Sequence, residues 1–232
     1  MGSGFNIKVF DILDSTNDTA KELAGQGTYH AAVLARQQSK GRGRSGNEWI
    51  SPAGNLYLSV IIDDQISLKN AGQLSFVTAI SLRECLSDIS EGEILNKWPN
   101  DLSLNGNKVS GILLESEAYN NQTKWIVIGL GVNIKHAPDG AAKLDSDMPP
   151  EDLAARFLKV FSKKLRTWRD DGFAPIQKEW LTHAKGLGQE ITVRLPNETK
   201  HGIFKTIDEN GCLILAQDAG DVKIASGDVF FN

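Results

Sequence analysis

Gly41-Arg42-Gly43-Arg44-Ser45-Gly46-Asn47-Glu48-Trp49 leads through Ile50-Ser51-Pro52-Ala53-Gly54-Asn55 into Leu56-Tyr57-Leu58-Ser59-Val60-Ile61-Ile62, and the fold turns on how this stretch is read. Its start satisfies Gly-x-Gly-x-x-Gly at Gly41, Gly43 and Gly46, and Asp63 stands near the place of a ribose-binding acid. A dinucleotide-binding fold needs a helix directly behind those glycines. Here Pro52 and Gly54 occupy that place, and the β-branched and apolar run behind them reads as a strand. A Rossmann reading therefore fails on context. A Walker reading fails as well, since no Gly-Lys-Ser/Thr follows at the required spacing. What remains is a loop between two strands, rich in glycine and arginine. Glycine lets a backbone approach a ligand without a Cβ in the way, and arginine grips two oxygens of an anion at once. Phosphate is the first candidate ligand.

Working outward, residues 31–38 read as the strand that feeds the loop, and residues 6–13 as an earlier one. Between them Asp14-Ser15-Thr16-Asn17 forms a helix-capping cluster, with a helix over 17–23 that stops at Gly25-Gln26-Gly27. On the other side, Ala71, Leu74, Val77, Leu82, Cys85 and Ile89 predict a helix over 70–89 with one buried stripe. Strands are expected over 94–98, 108–115 and 125–134, with Asn105-Gly106 as a two-residue hairpin turn. Short turns between successive strands predict an antiparallel meander with helices on one side. Residues 136–150 read as a connection, 153–168 as a strongly amphipathic helix and 175–185 as a shorter one. From Gly186 the texture changes to short strands and tight turns, which fits a small β-barrel. The expected class is α+β: a mixed, mostly antiparallel sheet with helices packed against it in residues 1–186, and a small β-barrel in residues 187–232.

Composition narrows the function. A net charge of −4 over 232 residues argues against general nucleic-acid binding. Cys85 and Cys212 show no pairing pattern, so a reducing, cytoplasmic setting is expected, and no run of about eighteen apolar residues suggests a membrane span. His30, His136, His183 and His201 lack metal-ligand spacing, so no protein-held metal is expected.

Five blocks, in order, resemble the biotin protein ligases: Ser15-Thr16-Asn17; Gly41-Arg42-Gly43-Arg44 with Trp49; Lys97-Trp98-Pro99-Asn100-Asp101; Lys108 through Leu114; and Gly129-Leu130-Gly131-Val132-Asn133. The resemblance implies a class II synthetase-like catalytic domain with an SH3-like C-terminal barrel. It implies ATP- and Mg2+-dependent activation of biotin to biotinyl-5′-AMP, then transfer to a lysine of a biotin carboxyl carrier protein. Lys108, Arg42 and Arg44 would be catalytic. Ser15, Thr16, Asn17, Gln38, Gly41, Arg42, Gly43, Arg44, Lys108, Gly111, Gly129 and Gly131 would hold biotin. Arg42, Arg44, Trp49, Lys97, Asn100, Asp101, Lys108 and Asn133 would hold ATP. The reaction brings a carboxylate against an α-phosphate, so cations must offset like charges. Asn47 departs from the family, which often carries an arginine there. Fourteen residues precede Ser15, where bifunctional members carry a helix-turn-helix, so no operator DNA is expected; a homodimer is compatible with the sequence. Two alternatives stay open: a lipoate or octanoate ligase or transferase of the same fold, and a non-catalytic biotin-responsive binding protein.

Overall fold

The computed structural model describes residues 4–62 and 66–231, which leaves Asp63 outside the described residues. β1 (Asn6–Leu13), α1 (Thr16–Gly25) and β2 (Ala31–Gln38) open the chain, with β1 and β2 parallel. β3 (Leu56–Ile62), α2 (Leu68–Ala71), α3 (Gln73–Ser87), β4 (Ile94–Lys97), β5 (Asp101–Leu104), β6 (Asn107–Tyr119) and β7 (Gln122–Val132) follow. The seven strands form one sheet in the order β1-β2-β3-β7-β6-β5-β4, antiparallel at every pair but the first. Asn105 and Gly106 both take positive φ, 49° and 88°, as the tight turn between β5 and β6 requires.

The helices do not share one side, as a pure meander would have it. α1 crosses between parallel strands, so it must leave the sheet plane and return. Its Ala20 and Ala24 pack with Ala31, Val33, Ile61 and Val127 on one face. Ala32, Leu34, Leu58 and Val60 point the other way, into the main core with α3, α4 (Pro150–Asp171) and α5 (Phe173–Thr182). β3 is consequently buried along its whole length, and its sequence is a continuous apolar run broken only by Ser59. α3 also differs from expectation. Every residue from Gln73 to Leu82 is buried, because the helix lies between the sheet and the other two helices. The hydroxyls of Thr78 and Ser81 donate to the carbonyls of Leu74 and Val77, both at 2.7 Å, which makes their burial tolerable. α4 is as amphipathic as its spacing predicts, burying Leu153, Phe157, Leu158, Phe161 and Leu165.

The C-terminal sheet has five antiparallel strands in the order β11-β10-β9-β8-β12. These are β8 (Glu190–Arg194), β9 (Thr199–Ile207), β10 (Leu213–Gln217), β11 (Gly220–Ile224) and β12 (Asp228–Phe231). The four-residue β12 has too little sequence to announce itself and is defined by its pairing with β8. The turn between β9 and β10 plugs into the larger unit. The Trp98 indole donates to the Gly211 carbonyl at 3.0 Å, Gln73 to that of Glu209 at 2.9 Å, and Gln177 to that of Ile207 at 2.6 Å.

Candidate active site

A cavity opens on the face of the large sheet that carries α1, and two glycines form its floor. Gly129 and Gly131 alternate with apolar residues on β7, so both point out of the core. A Cβ at Gly129 would collide with the Asn17 amide, and one at Gly131 would come within 2.5 Å of the Trp49 indole nitrogen. On β6, a Cβ at Gly111 would lie 3.1 Å from the Trp49 ring and 3.3 Å from the Lys108 ammonium. Glycine is needed at these positions for close approach rather than for an unusual φ.

One wall is the start of α1. Ser15 sits at the N-cap, yet its side chain makes no capping hydrogen bond, and Ser15, Thr16 and Asn17 are all buried against the cavity. The Gln38 carbonyl oxygen accepts from the Thr16 backbone N–H at 2.8 Å and from its hydroxyl at 3.1 Å, while the Gln38 amide donates to Ser51 at 3.0 Å. Ser59 lies behind them, 2.6 Å from the Asn17 carbonyl oxygen and 2.8 Å from the Thr16 hydroxyl, with one proton to serve the two. The wall is a set of fixed amide and hydroxyl dipoles, suited to a neutral polar ring.

The opposite wall carries charge. Lys108 Nζ stands 2.8 Å from Asp101 Oδ1 as an ion pair that lacks hydrogen-bond geometry, and 5.4 Å from the centre of the Trp49 ring. Arg44 donates to the Asn100 side-chain oxygen at 2.9 Å, and Asn100 is itself tied to the Ile112 carbonyl at 2.6 Å. The Trp49 indole N–H is buried without a protein partner. A polar floor and wall on one side and two cations on the other can hold a ligand that is neutral at one end and anionic at the other.

Most of the residues expected from sequence line this cavity: Ser15, Thr16, Asn17, Gln38, Arg42, Gly43, Arg44, Trp49, Asn100, Asp101, Lys108, Gly111, Gly129 and Gly131. Gly41 is buried just behind the loop, close under Ser51 and the Trp49 carbonyl. Like Gly41, two others do not line the cavity. Lys97 points toward the C-terminal sheet, its Nζ 5.9 Å from the centre of the Phe231 ring. Asn133 is buried and spends its amide on the Ala142 carbonyl at 3.0 Å, tying down the connection after β7. Arg42 lines the cavity, but both ends of its guanidinium fork donate to Asp18 at 2.6 Å. Ser59, Tyr57 and Asp228 enter the site unannounced. For Ser59 there was a signal, a lone hydroxyl inside an otherwise apolar strand. Asp228 comes from the C-terminal unit, which no local pattern reveals.

Residues 9–133 match the Biotin/lipoate A/B protein ligase family, and residues 186–232 match the Biotin protein ligase C terminal domain. The chain is 39% identical over 234 residues to the Biotin--[acetyl-CoA-carboxylase] ligase of Paracoccus denitrificans, covering 94% of this chain and 98% of that one. It is 31% identical to the Bifunctional ligase/repressor BirA of Bacillus subtilis, covering 97% of this chain and 74% of the relative. Among solved structures, the biotin protein ligase from Aquifex aeolicus in complex with biotin and ATP superposes with a TM-score of 0.82 at 27% identity, covering 97% of each chain.

Proposed function

The chain belongs to the biotin/lipoate A/B protein ligase family, and from that premise we infer that it is a biotin–protein ligase. It activates biotin with ATP to biotinyl-5′-AMP and passes the biotinyl group to a lysine of a carboxyl carrier domain of acetyl-CoA carboxylase. The observation that carries the reading is Lys108, held beside Asp101 and Trp49 at the edge of the glycine floor. The dipolar wall of Ser15, Thr16, Asn17 and Gln38 suits the ureido ring, which places the biotin carboxylate toward the cations. Its oxygen attacks the α-phosphorus, a P–O bond forms, and the bond to pyrophosphate breaks. Lys108 and Arg44 offset the charge that two anions bring together. Asp101 and Asn100 hold these two cations in place. In the second step the carrier lysine's neutral amine attacks the acyl carbon; its nitrogen loses a proton and AMP departs with the bonding pair.

Magnesium is proposed as the ion that accompanies ATP. Phosphate and water oxygens would supply most of its ligands, as is usual for this ion beside a nucleotide. Residues 1–186 are proposed as the catalytic domain and 187–232 as a smaller domain that reaches the site through Asp228. A cytoplasmic location is proposed on the same footing; no described helix is long and apolar enough to cross a membrane.

Replacing Lys108 by alanine tests the assignment. Its side chain is 40% exposed, so the fold should persist while pyrophosphate release falls about a thousandfold; unchanged turnover would refute the role. Parallel incubations with ATP and either biotin or lipoate test the substrate. Adenylate from lipoate and none from biotin would overturn the reading.

A further inference from the structure

Beside the cavity, four charges form a closed network on α1, β6 and the glycine-rich loop. Asp18 takes both ends of the Arg42 guanidinium at 2.6 Å and pairs with Lys21 at 2.9 Å. Glu115 takes Lys21 at 2.7 Å, accepts from the Asn17 amide at 2.7 Å, and lies 4.0 Å from Arg42. Two acids and two bases balance, so Arg42 has its counter-charge from the protein itself. A loop whose cations only repel one another would wait for an anion before ordering. This loop is already held at one end.

The held end is mechanically coupled to the other. Residues 41–49 fold back as a small hairpin: Gly43 N–H donates to Asn47 at 2.7 Å, Trp49 N–H donates to Gly41 at 2.9 Å, and Arg42 bridges Glu48. Arg42 stands on one arm and Trp49, which covers Gly131 and Lys108, on the other. Whatever fixes Arg42 fixes the position of the indole over the reacting groups.

We propose that Asp18 and Glu115 are positioning residues that latch the glycine-rich loop through Arg42, and that this latch sets how long the acyl-adenylate stays in the pocket. The second half of the statement rests on the biotin ligase reading; the first half does not. The ordinary role of Asp18 would be to favour the start of α1, where a negative charge meets the helix dipole. Such a role would not reach residues 41–49. The Asp18 carboxyl is held well below the usual carboxylate range, first by the Arg42 hydrogen bonds and, against the opposing effect of burial, by Lys21, so the latch is charged at neutral pH.

Two variants test it, Asp18→Asn and Glu115→Gln; the second keeps an acceptor for Asn17 and removes only the charge. In the ligand-free protein, hydrogen exchange of the 41–49 amides should quicken in both, with α1 amides beyond residue 20 unchanged. In the parent enzyme loaded with biotin and ATP, release of biotinyl-5′-AMP should rise with added salt. In both variants release should already be faster, about three- to tenfold in Asp18→Asn as expected for a partly exposed charge network, and should respond less to salt, least in Asp18→Asn, which removes the direct partner of Arg42. Loop exchange at the parent rate in both variants overturns the latch. Faster loop exchange with parent-rate release keeps the loop contact and overturns its role in retention. A parent protein that makes no biotinyl-5′-AMP sinks the functional reading instead, and the exchange comparison still decides the latch.

Discussion

Single residues divide into those whose chemistry shows in sequence and those whose direction does not. Lys108 and Arg44 stand in recognisable blocks, and the structure sets both against the cavity. Lys97 sits in an equally recognisable block, yet β4 alternates, so its side chain faces the C-terminal unit while Asn96 goes to the core. Motif membership says nothing about which face of a strand a residue takes. The floor glycines allow a sharp prediction. Gly129→Ala must push the Asn17 amide aside and thereby disturb its contacts with Ser59 and Glu115. Overpacking of this kind costs about 1–3 kcal/mol of stability, so the melting temperature should fall, and biotin should bind several-fold more weakly because the Asn17 amide has left its place. Isothermal titration with biotin would show it, and parent affinity would mean that the pocket tolerates a methyl group there.

At the scale of elements, strands are the easier part to read, because β-branched and apolar runs bounded by tight turns such as Asn105-Gly106 leave little choice. Which face a helix covers is harder, since it depends on whether two strands run parallel, and hydrophobic pattern does not report that. The β9–β10 turn shows how one side chain organises an element. Asp208 Oδ1 accepts from the N–H groups of Asn210 at 2.8 Å and Cys212 at 2.9 Å, and its other oxygen pairs with Lys223. Burial works to raise the Asp208 pKa, but these hydrogen bonds and the Lys223 charge outweigh it and hold it low. A lowered carboxyl stabilises the fold fully above its unfolded value, about 3.9, and loses that contribution as pH falls through the folded value. Asp208→Asn should therefore cost about 1 kcal/mol at pH 7 and show a shallower loss of stability in acid. Urea titrations at pH 7 and pH 3 would measure both, and parallel curves for parent and variant would count against it.

Taken whole, the molecule is two sheets joined by that turn. Gly211 has a φ of 80°, and a Cβ there would strike Phe76 on α3. Gly211→Ala should therefore cost about 1–3 kcal/mol, and calorimetry should show one transition moving to lower temperature rather than two separating. A second, unshifted peak would mean that the two units melt independently. None of this junction is legible in sequence, because Trp98 and Gly211 are 113 positions apart and each has an ordinary local explanation. For recombination among relatives, this junction matters more than the apparent linker near residue 186. A C-terminal unit exchanged at that linker would arrive with a foreign turn facing Phe76, Gln73, Trp98 and Gln177. A chimaera built there inherits two halves of a joint cut to different patterns, whereas one that carries those four residues along with the incoming turn inherits the joint entire.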